Sequence, residues 1–154
     1  MCNPNDPILL VEDEPTDAIL FRRALERNGI RQTPVIVSNG EEAIQYLQGS
    51  GGYADRQRHP MPSIIVLDIK MPRRSGFEVL DWIRSRPDAL RNLPVVMLSS
   101  SALATDVTAA LDKGANSYVS KPATTEEYTR MAAAFAAFWM NYHEQASCPR
   151  FVRQ

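Results

Sequence analysis

Short apolar runs alternate along the chain with segments in which apolar residues recur every three or four positions. The runs predict β-strands and the segments predict α-helices, because side-chain direction repeats at these periods in the two structures. The apolar runs cover residues 7–11, 34–37, 63–67, 93–98 and 117–119. The helical patterns begin at Pro15, Asn39, Phe77, Thr105 and Thr125, and the last continues to His143. The pattern predicts five β–α repeats.

Strands that alternate with helices indicate a parallel sheet covered by helices on both faces. The run at residues 63–67 is the most continuous run of β-branched residues, which is typical of a central strand buried on both faces. We predict a doubly wound, flavodoxin-like α/β fold with strand order 2-1-3-4-5 and five helices. In such a sheet a ligand crevice forms at the carboxyl ends of the strands, where the strand order reverses.

Length and charge narrow the class of protein. The chain has 154 residues, which suits one domain, and a formal net charge of −1, which argues against a nucleic-acid partner. The longest apolar run, residues 131–140, is too short to cross a bilayer, and the first residues lack the apolar segment of a signal peptide. We expect a cytoplasmic protein without membrane contact.

Polar residues follow four of the predicted strands. Glu12 and Asp13 follow the first strand, Asp68 the third, Ser99 the fourth and Lys121 the fifth. We expect them to gather at the carboxyl edge of the sheet. Three carboxylates held this close repel each other unless a cation is present, and Mg²⁺ or Mn²⁺ takes such oxygen ligands. Asp68 beside a metal and Lys121 can attack a phosphoryl group and become an aspartyl phosphate.

The chain resembles the receiver domain of two-component response regulators. The matching segments are ILLVEDE at 8–14, VLDIKMP at 66–72 with Gly76, PVVMLSS at 94–100 and GANSYVSKP at 114–122. The resemblance implies a receiver domain over residues 6–143, a short tail at 144–154 and no output domain. It also implies a signalling protein that catalyses only its own phosphorylation and dephosphorylation.

The resemblance further implies roles for the acidic residues. Asp68 corresponds to the phosphorylated aspartate. Asp13 corresponds to a direct magnesium ligand, Glu12 to a ligand that acts through water, and the backbone carbonyl of Lys70 to a third protein ligand. Our hypothesis is that the long Lys70 side chain covers the acyl phosphate and slows its hydrolysis.

The remaining implied roles concern the phosphate and the conformational switch. Ser99 corresponds to the switch hydroxyl, followed here by Ser100 in place of the usual alanine, and Lys121 corresponds to the lysine that pairs with the phosphate. Tyr118 corresponds to the aromatic residue that turns inward when the hydroxyl moves. The Lys121–Pro122 peptide bond corresponds to one that is cis in the family.

Two features suggest partners. The polar loop at residues 48–62 and the last helix resemble those of response regulators encoded with bacterial phytochromes, which implies a sensor histidine kinase, specifically a bacteriophytochrome, as partner. The last helix is apolar around most of its circumference, which is typical of a buried or paired helix. We expect a homodimer through this helix, the fourth helix and the fifth strand. The predicted dimer face consists of Phe135, Phe138, Trp139 and Tyr142.

Other functions stay open from the sequence. The chain could be an intermediate receiver of a multistep phosphorelay. A haloacid-dehalogenase-type phosphatase also uses an aspartate nucleophile, but it needs a second aspartate where this chain has Lys70. A flavodoxin-like module that binds small molecules needs a loop that holds phosphate after the first strand, and Glu12 and Asp13 would repel a phosphate.

Overall fold

The structure, a computed structural model, describes residues 6–30, 33–100 and 103–146, without the side chains of residues 136 and 138–146. Five strands alternate with five helices within this part of the chain. The strands are β1 (Ile8–Val11), β2 (Val35–Val37), β3 (Ile64–Leu67), β4 (Val95–Ser99) and β5 (Ser117–Ser120). The helices are α1 (Pro15–Arg27), α2 (Gly40–Gln48), α3 (Gly76–Ser85), α4 (Ala104–Asp112) and α5 (Thr125–Ala146).

The five strands form one parallel sheet in the order β2-β1-β3-β4-β5, which confirms the predicted fold class. Apolar residues of α1 and α5 form one core layer against the sheet. Residues of α2, α3 and α4 form the other layer. The chain therefore reverses its direction of winding at β1, and the crevice between β1 and β3 opens at the carboxyl edge.

Burial along the strands explains the apolar runs. Every residue of β1 and β3 is buried, whereas the edge strands β2 and β5 are partly exposed. Within β1, Ile8 and Leu10 face the α1–α5 layer, and Leu9 and Val11 face the opposite layer. A strand that packs on both faces has no solvent-facing position, so it lacks the apolar–polar alternation of a half-exposed strand.

Local signals fix where the helices begin. Pro15 occupies the first turn of α1, where its missing N–H costs no hydrogen bond. The Asn39 side chain caps α2 by accepting the Glu42 N–H at 2.8 Å. The Ser75 hydroxyl caps α3 by accepting the Glu78 N–H at 3.3 Å. The helices α1 and α2 thus begin within about four residues of the carboxyl ends of β1 and β2, whereas a longer connection joins β3 to α3.

The loop between α2 and β3 packs against α2. The Arg56 guanidinium donates to the carbonyls of Tyr46 and Leu47, both at 2.8 Å, and satisfies two of the last carbonyls of the helix. The Tyr46 hydroxyl donates to the carbonyl of Pro60 at 2.7 Å.

At the other end of the chain, α5 extends to Ala146, beyond the predicted end at residue 143. Residues 147–154 of the predicted tail lie outside the described residues. In the described part of the chain, no helix combines the length and the apolar character needed to cross a membrane.

Candidate functional site

Backbone hydrogen bonds hold three polar residues at the carboxyl edge of the sheet. The Glu12 N–H donates to the last carbonyl of β2 at 3.0 Å, and the Asp68 N–H donates to the last carbonyl of β1 at 3.1 Å. The Lys121 N–H donates to the last carbonyl of β4 at 2.7 Å. Each bond continues the parallel pairing one residue beyond a strand, so the side chains that follow β1, β3 and β5 are fixed at one edge.

Three carboxylates meet there, as the sequence predicts. Glu12, Asp13 and Asp68 each offer one oxygen, and these oxygens all lie within 4.8 Å of one another. Glu12 and Asp68 are only 3% and 5% exposed, and Asp13 is half-buried. Burial raises the pKa of Glu12 to about 7, and the neighbouring Asp68 charge acts in the same direction, against a hydrogen bond from Lys121. The site disfavours further negative charge and favours a cation.

The Lys121 ammonium lies among carboxylates. Its Nζ is 2.7 Å from Glu12 Oε2, 3.2 Å from Asp68 Oδ2 and 3.2 Å from Asp17 Oδ2. Burial alone would lower the pKa of Lys121, but the hydrogen bond to Glu12 and the charges of Asp68 and Glu12 outweigh it and raise the pKa. Lys121 is therefore a fixed positive charge in contact with Asp68.

Asp17 is a member of this cluster that the sequence analysis missed. An acidic residue in the first turn of a helix usually serves only to complement the helix dipole. A signal was nevertheless present, because Asp17 lies one turn before the buried Phe21 on the face of α1 that packs on α5. The Tyr128 hydroxyl of α5 donates to Asp17 Oδ1 at 3.4 Å.

The two serines at the end of β4 differ in burial. Ser99 is fully buried at the end of the strand, whereas Ser100 is exposed. Tyr118 is half-buried in β5 and packs against the core layer under α2, α3 and α4. The Ser99 hydroxyl therefore lies inside the protein at the end of β4, whereas the Ser100 side chain lies on the surface.

The segment after Asp68 turns back against the end of β3. The Gly76 N–H donates to the carbonyl of Ile69 at 2.8 Å. A Cβ atom at Gly76 would clash with the backbone carbonyl of Asp68, so only glycine fits there. The Lys70 side chain is exposed, and its predicted role in covering the phosphate stays a prediction.

The expected cis peptide bond before Pro122 is not found. Among the described residues no peptide bond is cis, and the Lys121–Pro122 bond is trans. The preference of an X–Pro bond for trans over cis is only about 0.5–1 kcal/mol, so the sequence permits either form. With the trans bond, the Lys121 N–H still reaches the last carbonyl of β4 and its ammonium still contacts Glu12.

The donor set fits a hard divalent cation. Carboxylate oxygens are the ligands that Mg²⁺ and Mn²⁺ prefer, and Glu12, Asp13 and Asp68 offer three of them at close range. Among the described residues, the Lys121 ammonium is the cation that pairs with both Glu12 and Asp68, and one positive charge does not balance the cluster. The charge and the chemistry of the site therefore match Mg²⁺ or Mn²⁺.

One member of the predicted dimer face packs inside the chain. The Phe135 ring meets Phe21 edge-on, with ring centroids 6.0 Å apart and an angle of 71° between the planes. Phe135 thus joins the α1–α5 core layer instead of standing free for a second copy, because it lies on the same face of α5 as the buried Tyr128 and Ala132. The side chains of Phe138, Trp139 and Tyr142 lie outside those that the structure describes.

Comparison with known proteins identifies the family. A family model described as the response regulator receiver domain matches residues 8–133. The response regulator Rcp1 of Synechocystis sp. is 34% identical over 138 residues, which cover 90% of this chain and 91% of Rcp1. The solved Mn²⁺-bound form of Rcp1 is 33% identical with a TM-score of 0.77, over 87% of this chain and 94% of that one.

Two further solved structures are similar over most of their length. RPA3017, a response regulator in red light signaling of R. palustris, has 34% identity and a TM-score of 0.83. The phosphorylated cyanobacterial phytochrome response regulator RcpA has 34% identity and a TM-score of 0.80. Each match covers 88% of this chain and 94% of the other. The chain therefore belongs to the response regulator receiver domains, a signalling family of two-component systems, and within that family it is similar to the phytochrome response regulators.

Proposed function

We propose that this chain accepts a phosphoryl group on the Asp68 side chain from the phosphohistidine of a sensor histidine kinase. The observation that carries the proposal is the buried Asp68 carboxylate, which lies 3.2 Å from the Lys121 ammonium and beside the oxygens of Glu12 and Asp13. A structural ion pair needs one anion for one cation. An excess of buried anions around one lysine is instead typical of a site built for a metal and a phosphoryl group.

The proposed transfer uses the chain's own side chains directly. An Asp68 oxygen attacks the phosphorus atom, an O–P bond forms, and the P–N bond breaks with its electron pair returning to the imidazole nitrogen. The attacking carboxylate has no proton to lose, so no general base is required. Lys121 offsets the charge on the phosphoryl oxygens, and the buried Ser99 donates its hydroxyl to the phosphorylated product.

Glu12, Asp13 and Asp68, with the backbone carbonyl of Lys70, are the proposed ligands of Mg²⁺ or Mn²⁺. The bound ion would supply positive charge to the phosphoryl oxygens. The support is the cluster of three carboxylates in this chain and the Mn²⁺-bound form of the relative Rcp1. Magnesium titration followed by calorimetry tests the ligand set, and Asp13→Asn is expected to weaken binding by about tenfold or more.

Phosphorylation is proposed to act through Ser99 and Tyr118. Movement of the Ser99 hydroxyl toward the phosphate vacates space at the end of β4. Tyr118 on the neighbouring β5 can then turn from its half-buried position toward the interior. The result is a changed surface of α4 and β5 that a protein partner can read.

A phytochrome kinase is the proposed donor. The support is the similarity, over 88% of this chain, to the phytochrome response regulator RcpA and to RPA3017, a response regulator in red light signaling. Phosphotransfer from a phosphorylated bacteriophytochrome kinase is expected to be faster than transfer from an unrelated histidine kinase. Equal rates from both kinases would contradict the phytochrome partner.

We also propose a homodimer through α5, α4 and β5. Its support is the apolar character of α5 around most of its circumference. Phe138, Trp139 and Tyr142 are the large apolar residues available for it in the sequence. Analytical ultracentrifugation of the wild-type protein and of Trp139→Ala, each with and without phosphorylation, tests it. A single species of 17.3 kDa at micromolar concentration in every sample would contradict the dimer.

The phosphorylation itself is tested by intact mass after incubation with Mg²⁺ and an acyl phosphate donor. Wild-type protein is expected to gain the mass of one phosphoryl group, and Asp68→Asn is expected to gain none. Asp81→Asn is the matched control, because Asp81 is exposed and pairs with Lys113 away from the site. An unmodified wild-type protein, or a mass gain that survives in Asp68→Asn, would contradict the proposal.

A further inference from the structure

Asp17 joins the site to the layer of helices outside the sheet. Its Oδ2 accepts a hydrogen bond from Lys121 Nζ at 3.2 Å, and its Oδ1 accepts one from the Tyr128 hydroxyl at 3.4 Å. Tyr128 is 2% exposed on α5. One carboxylate therefore contacts both the lysine of the site and a buried residue of the outer helix.

Asp17 differs from the other partners of the lysine. An ammonium donates three hydrogen bonds, and the three carboxylates around Lys121 are Glu12, Asp17 and Asp68. Glu12 and Asp68 also belong to the trio of oxygens that fits a cation, whereas Asp17 does not. With a cation and a phosphoryl group bound, Glu12 and Asp68 would serve those groups, and Asp17 would be the carboxylate that still holds Lys121.

We propose that Asp17 is a positioning residue that holds the Lys121 ammonium beside Asp68 and, through Tyr128, couples its position to α5. The inference rests on the proposed function, because its kinetic consequence is measured in phosphoryl transfer to Asp68.

Packing of the helices does not depend on Asp17 alone. The Phe21–Phe135 contact and a hydrogen bond from Asn28 to the carbonyl of Thr129 at 3.0 Å also fasten α1 to α5. The Asp17 side chain is 31% exposed, so its loss leaves no deeply buried cavity. A variant at this position is therefore expected to fold.

Replacing Asp17 has different kinetic results if Asp17 acts only through its charge and if it positions Lys121. Removing a carboxylate near the site makes it less negative, and by charge alone an anionic phosphodonor should then bind more easily. Loss of a positioning contact instead leaves donor binding intact and lowers the maximal rate of transfer, because the ammonium is no longer held where charge develops.

The first experiment measures phosphorylation rate by intact mass over a range of acetyl phosphate concentrations with Mg²⁺ present. Asp17→Asn is expected to lower the maximal rate by about fivefold or more without raising the half-saturating donor concentration. Glu14→Gln is the matched control, because Glu14 is an exposed carboxylate three residues earlier and both of its constants should stay within about twofold of wild type. An unchanged maximal rate in Asp17→Asn would overturn the inference.

The second experiment needs no phosphorylation. Peptide mass spectrometry measures how fast an amine-reactive reagent modifies Lys121. We expect this rate to rise about threefold or more in Asp17→Asn and also to rise in Tyr128→Phe. In Glu14→Gln the rate should stay at the wild-type value. A Tyr128→Phe variant that leaves Lys121 reactivity at the wild-type rate would refute the coupling to α5. If the wild-type protein accepts no phosphate, the proposed function fails, and the labelling rates alone decide the role of Asp17.

Discussion

Replacing Asp13 with asparagine should stabilise the metal-free protein and remove its response to magnesium. In the wild-type protein one oxygen of Asp13 lies within 4.8 Å of oxygens from Glu12 and Asp68. Without a bound cation these groups repel each other in the folded state, and Asp68 separates from Glu12 and Asp13 in the unfolded chain. The substitution keeps the size of the side chain and removes one of the repelling charges.

The geometry sets the scale of this effect. Two unit charges at the 4.8 Å limit repel by about 3.5 kcal/mol at an effective dielectric constant of about 20. Asp13 is half-buried and the Lys121 ammonium offsets part of the field, so we expect a net gain of about 1–2 kcal/mol in the free energy of unfolding. For a chain of this length that corresponds to a rise in Tm of about 3–6 °C.

Thermal unfolding followed by circular dichroism, in EDTA and in MgCl₂, measures both parts of the prediction. Wild-type protein should gain about 1.4 kcal/mol at an ion concentration roughly tenfold above Kd, and Asp13→Asn should gain much less. Asp81→Asn, which removes an exposed carboxylate paired with Lys113, should keep the full magnesium response. The reasoning is refuted if Asp13→Asn is less stable than wild type in EDTA, or if its magnesium response equals that of wild type.

Two further predictions concern stability. Burial raises the pKa of Glu12 from 4.5 to about 7, so the folded state holds this proton more tightly than the unfolded chain. In EDTA the wild-type protein should therefore lose stability relative to Glu12→Gln as the pH rises from 4.5 to about 7. Urea unfolding at each pH measures this, and a constant difference in the free energy of unfolding between the two proteins across that range would contradict the raised pKa of Glu12. Gly76→Ala should cost about 2–4 kcal/mol because its Cβ meets a backbone carbonyl, whereas Gly52→Ala, with open space around it, should change stability by less than about 1 kcal/mol in the same assay.

The fold could be predicted from the sequence because buried strands require apolar residues, and runs of these residues are visible in the sequence. After Ser63 the run at residues 63–67 has no polar position, and its last four residues, 64–67, form β3, which is buried on both faces of the sheet. The reversal of winding at β1 follows from the need to cover both faces of a parallel sheet with helices. Once these strands were placed, the polar residues directly after them had to share one edge, and Glu12, Asp13 and Asp68 do so.

Contacts that depend on the packing of one helix on another were harder to predict from the sequence. Asp17 stands where an acidic residue is ordinary, and its spacing from Phe21 indicates only that it faces α5, so its contact with Lys121 is seen only in the folded chain. The apolar circumference of α5 did not show which residues face α1, so Phe135 was expected at a dimer face although it packs on Phe21. The prediction of a cis Lys121–Pro122 bond, which rested on the family resemblance, was wrong, because the two isomers of an X–Pro bond differ by so little free energy that the sequence does not select one.

The location of the phosphoryl group on the chain tests the central claim most directly. Reduction of an aspartyl phosphate with borohydride converts that aspartate to homoserine, and peptide mass spectrometry then identifies the residue. After reaction with Mg²⁺ and an acyl phosphate, we expect homoserine at position 68 alone. Conversion at Asp13 or Asp17 instead, or a full yield of unmodified Asp68, would contradict it.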